Sequence, residues 1–137
     1  MCMRTHLWNL FPRTTKESIT VYKVMRGKPS ESRVRSPHQF HFYDLGVTEH
    51  ANIRRTLGVF PPRFLVNEGL HAFVDVIDAY REMYEQGGRA FGYHVYECEI
   101  PAGSKIFRGI WDNYATVRKI PNIVSNKLII TKIFEEE

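Results

Sequence analysis

The chain has 137 residues, 43% of them hydrophobic, which fits one domain with a real core and excludes wholesale disorder. No apolar run approaches the roughly 18 residues needed to cross a bilayer, which excludes a membrane-spanning helix on sequence grounds. The formal charge of +4 is divided unevenly: residues 1–66 carry 11 Lys/Arg against 4 Asp/Glu, and residues 67–137 carry 8 against 11. A uniformly basic coat would point to nucleic acid, whereas a bipolar chain points to an oriented contact or to two solvated faces.

Residues Met1 to Lys16 mix aromatic and basic side chains without a period and read as an N-terminal arm or cap, set at 1–18, before a single domain at 19–137. Ile19 to Met25 is β-branched and aromatic and predicts a strand. The polar stretch from Arg26 to Pro37 predicts a long loop. Phe40, Phe42 and Tyr43 predict a short aromatic strand ending near Gly46. Thr48 as N-cap, Glu49 in the first turn, Ile53 and Leu57 at i,i+4 and Gly58 as a stop predict a short helix over about 49–56. Phe64-Leu65-Val66 is a further strand candidate.

The main helix is expected at about 75–86, with Phe73, Val76, Ile77, Tyr80, Met83 and Tyr84 on one face and Gly87-Gly88 closing it. His94 to Ile100 predicts a strand with Tyr96, Cys98 and Ile100 on one face and Val95, Glu97 and Glu99 on the other. Pro101 to Ser104 is a turn, Lys105 to Gly109 a strand, and Lys127 to Phe134 a last, buried strand. The expected class is α+β: one domain with a mixed or mostly antiparallel sheet of five or six strands, one main helix and one short one.

Phosphate-loop, dinucleotide, zinc-protease, nucleophile-elbow and C-x-x-C motifs are all missing. Cys2 and Cys98 make neither a disulfide framework nor a zinc cluster. Met1 to Trp8 has no signal-peptide pattern. These features read as a soluble, reduced, cytoplasmic protein. His38 and His41 stand three apart with His50 and Asp44 beyond, poor ligand spacing on a strand, and no metal or other cofactor is expected. His71, after Gly69, is either a general acid/base or a side chain that fastens its loop. Glu97 and Glu99 share a strand face, as paired catalytic carboxylates or as a solvated face. Arg26, Lys28, Arg33, Arg35, Arg54 and Arg55, interleaved with Phe40 and Phe42, form a candidate partner-binding set.

Glu68-Gly69-Leu70-His71-Ala72-Phe73, then Ile100-Pro101-Ala102-Gly103-Ser104, with Tyr22-Lys23-Val24 before them, resemble segments of small uncharacterised bacteriophage and bacterial proteins. The same three segments are distantly similar in order to the ADP-ribosyltransferase fold. That similarity implies a nucleotide cleft lined by Tyr22, Lys23, His71 and Glu97, with NAD or ADP-ribose as ligand. Lys23 stands where that fold has an Arg, His71-Ala72-Phe73 replaces its Ser-Thr-Ser segment, and no E-x-E or Q-x-E motif stands between Ser104 and the final strand. Three function classes follow. The first is a non-catalytic accessory or host-interaction (anti-defence) factor of phage type, working by protein–protein contact. The second is a divergent ADP-ribosyltransferase-like enzyme or nucleotide binder, and the third is a nucleic-acid binder using the basic N-terminal half.

Overall fold

Alternation of β-branched or aromatic residues with polar ones recurs along most of the chain, and strand is what it forms. The structure, a computed structural model, describes residues 3–5, 11–27, 33–35, 42–58, 63–113 and 118–134. In chain order the strands are β1 (Met3–Thr5), β2 (Arg13–Thr14), β3 (Ile19–Arg26), β4 (Arg33–Arg35), β5 (Phe42–Asp44), β6 (Thr48–His50), β7 (Arg54–Gly58), β8 (Arg63–Glu68) and β9 (Leu70–Phe73). The helix α1 (Val76–Glu85) and a 3₁₀ turn (Arg89–Phe91) follow, then β10 (Tyr93–Ile100), β11 (Lys105–Asn113), β12 (Arg118–Ser125) and β13 (Lys127–Ile133).

The thirteen strands of the described residues join one sheet, whose main path runs β6-β13-β10-β3-β9-β12-β11-β1-β8-β7. Strand β2 pairs with β11, and β4 bridges β3 and β5. Every pairing among the described residues is antiparallel.

These pairings overturn the expected α+β class with five or six strands. The described residues form a sheet-rich, antiparallel single domain with one α-helix. Residues 49–56 are not helical: Thr48–His50 pairs with Lys127–Ile129, and Arg54–Gly58 pairs with Glu68–Arg63. The caps and the i,i+4 pair were local signals, and hydrogen bonds to the distant β13 and to the neighbouring β8 overrode them. The loop expected from Arg26 to Pro37 contains β4, with Arg35 opposite Arg26.

Period-two alternation divides the core between the two faces of the sheet. On one face Val21, Met25, Tyr43, Leu70, Ala72, Tyr96, Cys98, Ile100, Ile106, Ile123, Leu128 and Ile130 form a buried cluster. On the other, α1 lays Ala79, Tyr80 and Met83 against Val24, Phe73, Val95 and Ile120. A smaller cluster joins Met3, Val66, Phe107 and Val124. Full burial of each large apolar side chain contributes roughly 1.5–3 kcal/mol, so these three clusters hold the sheet and helix together.

The helix starts at Asp75, whose Oδ1 accepts from the Ile77 backbone N–H at 2.9 Å, satisfying one of the free donors of the first turn. Gly88 donates its N–H to the Met83 carbonyl at 2.9 Å as the chain leaves the helix at positive φ. Strands β8 and β9 are consecutive but not neighbours in the sheet, and the chain changes partners between them at Gly69. Gly69 has φ +136°, and a β-carbon there would stand 2.4 Å from Val124 Cγ1. Only glycine meets both demands.

Candidate functional site

The four residues of the implied nucleotide cleft are distributed over both faces of the sheet. Lys23 follows the parity of Val21 and Met25 and points into the larger core, where it is buried. Its Nζ donates to the His71 carbonyl at 2.7 Å and lies 5.7 Å from the centre of the Tyr43 ring. Burial lowers the Lys23 ammonium from 10.5 to about 8, against a smaller opposing effect of Cys98. Cys98 is a free, buried thiol, pushed up to about 12 by burial, which the charge of Lys23 opposes. Burial, with Glu49 and Cys98 adding to it, raises the Tyr43 phenol to about 12.

Tyr22 points to the opposite face. It stacks edge-on against Phe134 at 5.6 Å, and Phe134 in turn meets Tyr80. Glu97 is directly across from Tyr22 on β10 and lies 3.7 Å from the exposed Lys132 ammonium, a surface pair of little energetic weight. His71 is buried in β9. Its Nδ1 lies 3.2 Å from the Gly69 carbonyl and its Nε2 3.2 Å from the Val66 carbonyl, so the ring clasps the corner between β8 and β9. Two carbonyls would suit a doubly protonated ring, but burial and the nearby Lys23 charge outweigh them and lower the imidazole to about 4. The neutral ring donates to one of the two carbonyls and fastens the corner.

Among the basic candidates, Arg26 is exposed and stacks over the Tyr93 ring at 5.7 Å, and Arg54 is exposed at the start of β7. Lys28 and Phe40 lie outside the described residues. Arg33, Arg35, Phe42 and Arg55 stand in β4, β5 and β7, with their side chains outside the described part. No group of three or more His, Cys, Asp or Glu among the described residues has metal-holding geometry. No helix of the described residues is long and apolar enough to cross a membrane.

The surface that stands out is the outer side of α1. Ala79, Tyr80, Glu82 and Met83 are its buried residues. Ile77 and Tyr84, expected on the core face, are 57% and 64% exposed. They lie seven residues apart, two turns along one stripe. Phe91, 64% exposed, continues that stripe: a β-carbon on Gly87 would stand 2.6 Å from its ring, and one on Gly88 would stand 3.7 Å from Tyr84 Cδ1. Val74 is exposed just before the helix. Asp75, Asp78 and Glu85 border the stripe, with Arg81 between Ile77 and Tyr84.

Sequence reasoning assigned Ile77 and Tyr84 to the core because three- and four-residue spacing admits a wide apolar face. The sheet surface accommodates only the narrower row Val76, Ala79, Tyr80 and Met83. The signal that separates them is the charged pair Asp78 and Arg81, which places Ile77 beside the solvent side of the wheel. Comparison of the chain with protein-family models, curated proteins and solved structures returned no match.

Proposed function

We propose that this chain is a small non-catalytic binding protein that acts through protein–protein contact, docking by the outer face of α1. The observation that carries the reading is the row of three large apolar side chains more than half exposed, Ile77 and Tyr84 on α1 and Phe91 in the 3₁₀ turn beyond it. Leaving such a cluster in water forgoes stabilisation that a partner recovers on covering it. Aromatic side chains backed by a rigid element are the usual anchors of interfaces. The acidic border fits a partner whose apolar contact residues are flanked by Lys or Arg. The resemblance to small phage and bacterial proteins points to an accessory, host-interaction role of the same kind.

The test compares the wild-type chain, Ile77→Glu/Tyr84→Glu and Lys119→Gln, an exposed position on β12 away from α1. Proteins captured from lysate by the wild type and by Lys119→Gln, and lost with Ile77→Glu/Tyr84→Glu, are then purified. The purified partner must bind with Kd below about 10 μM, and at least about tenfold more weakly to the double variant. Sedimentation velocity identifies the case in which the partner is a second copy. Equal capture by all three chains, or no partner and no self-association, overturns the proposal.

A further inference from the structure

A second surface is built where the N-terminal segment meets β11. Two registers define it: Arg4 stands opposite Ile110, and Arg13 stands opposite Ile106. At the edge where β2 meets β11 there is a concavity of about 220 Å³, lined by Phe11, Arg13, Ile106, Phe107 and Arg108.

Its chemistry is divided in two. Ile106 is buried, shares a sheet face with Arg13 and Arg108, and supplies an apolar floor, while Phe107, next to it on β11, belongs to the core cluster with Met3, Val66 and Val124. Arg13 pairs directly with Ile106, and Arg108 lies two residues along β11, so both arginines share a sheet face as diagonal neighbours. Both are exposed, and neither has a hydrogen bond or ion pair among the described residues. Phe11 lines the same hollow with 80% of its surface exposed.

We infer that this hollow binds one nucleotide unit, with its phosphate held by Arg13 and Arg108 and its base against Phe11 and the apolar floor. Two guanidinium groups lining one hollow match the double negative charge of a phosphomonoester, and each planar guanidinium can donate two parallel N–H bonds to a pair of its oxygens. An exposed phenyl ring beside them offers a stacking platform to a flat heterocycle. The hollow is smaller than the roughly 300–1,000 Å³ typical of drug-sized ligands, which limits it to one unit rather than a joined pair. Its open mouth admits the unit as a free mononucleotide or as part of a single strand. The site lies on β2 and β11, apart from α1, and does not depend on the helix face being a docking surface.

The experiment is a calorimetric titration of the full chain with AMP, adenosine and inorganic phosphate, beside a fluorescence titration with a labelled 5′-phosphorylated thymidylate oligomer. AMP is expected to bind at least about tenfold more tightly than adenosine or phosphate alone. Arg13→Gln/Arg108→Gln and Phe11→Ala are each expected to weaken binding about tenfold or more. Circular dichroism checks that these variants remain folded, and Ile77→Glu/Tyr84→Glu is expected to bind AMP as the wild type does. Binding of the oligomer without AMP, with the same losses in the variants and an affinity that falls with salt, identifies a single strand as the source of the unit. The inference is overturned if neither probe binds at millimolar concentration. Unchanged binding in the Arg13/Arg108 and Phe11 variants, phosphate binding as tightly as AMP, or AMP binding lost in the Ile77/Tyr84 variant also overturns it.

Discussion

Replacing Lys23 by Met keeps the length of the side chain and removes its charge from the larger core. The fall of the ammonium from 10.5 to about 8 means that folding disfavours the protonated form by roughly 3 kcal/mol. Because the folded value is depressed, this penalty is absent above the unfolded value, accrues as pH falls below it, and is complete below about 8. The hydrogen bond to the His71 carbonyl, worth about 1.5–3 kcal/mol for a charged donor, is lost in the variant and offsets much of the relief. At neutral pH Lys23→Met is therefore expected to change stability by no more than about 2 kcal/mol.

The decisive quantity is the difference between wild type and variant as a function of pH. The wild type is expected to gain roughly 2–3 kcal/mol on the variant between about pH 7 and about pH 10. The difference is needed because Cys98 and Tyr43, both raised to about 12, run the other way. Their unfolded forms lose protons first, so both destabilise the fold as pH rises. Urea unfolding followed by the fluorescence of Trp111, which packs against Phe73, measures both proteins. A difference that stays constant within about 0.5 kcal/mol across this range would show that Lys23 is fully charged in the fold at no cost, and the reasoning fails.

His71, lowered to about 4, is expected to remain neutral in the native state at pH 5.5, and its ring nitrogen shifts by NMR report this directly; a midpoint near 6.5 contradicts it. The same depression makes the fold lose stability as pH falls from 6.5 towards 4, and His71→Gln should flatten that acid limb. Gly69→Ala is expected to cost roughly 2–4 kcal/mol in thermal unfolding, from both positive φ and the collision with Val124. Gly103→Ala, with φ +82° but open space around it, should cost only about 1 kcal/mol. Asp75→Ala removes the cap of α1 and should cost about 1 kcal/mol, while Asp75→Asn should cost much less.

What the sequence revealed was mainly local. The helix expected at 75–86 is Val76–Glu85 between caps Asp75 and Gln86, because cap, period and glycine stop all agree there. The strand His94 to Ile100 is present, and Tyr96, Cys98 and Ile100 are buried as its alternation required. What remained hidden depends on pairing between distant segments. Thr48–His50 carries helix-capping residues yet takes its hydrogen bonds from β13, and Pro121 sits inside β12 despite its reputation as a breaker. Lys23 was partly legible, since its place between Val21 and Met25 in the alternation already gave it their face. The hollow at Phe11, Arg13 and Arg108 was not, because nothing in a sequence without period says that Arg13 meets Ile106.

The order of strands in the sheet has a consequence for how the protein is made. Strand β3 emerges early from the ribosome, but its long partner β10 follows it by most of the chain, and β10 in turn waits for β13. β1 likewise has to wait for both β8 and β11. Loop closure between remote segments therefore places the protein among the slow folders, on a scale of roughly milliseconds to seconds. Until β13 is released, the nascent chain carries unpaired strand edges rich in β-branched residues, and this is the interval in which a chaperone does most for its yield.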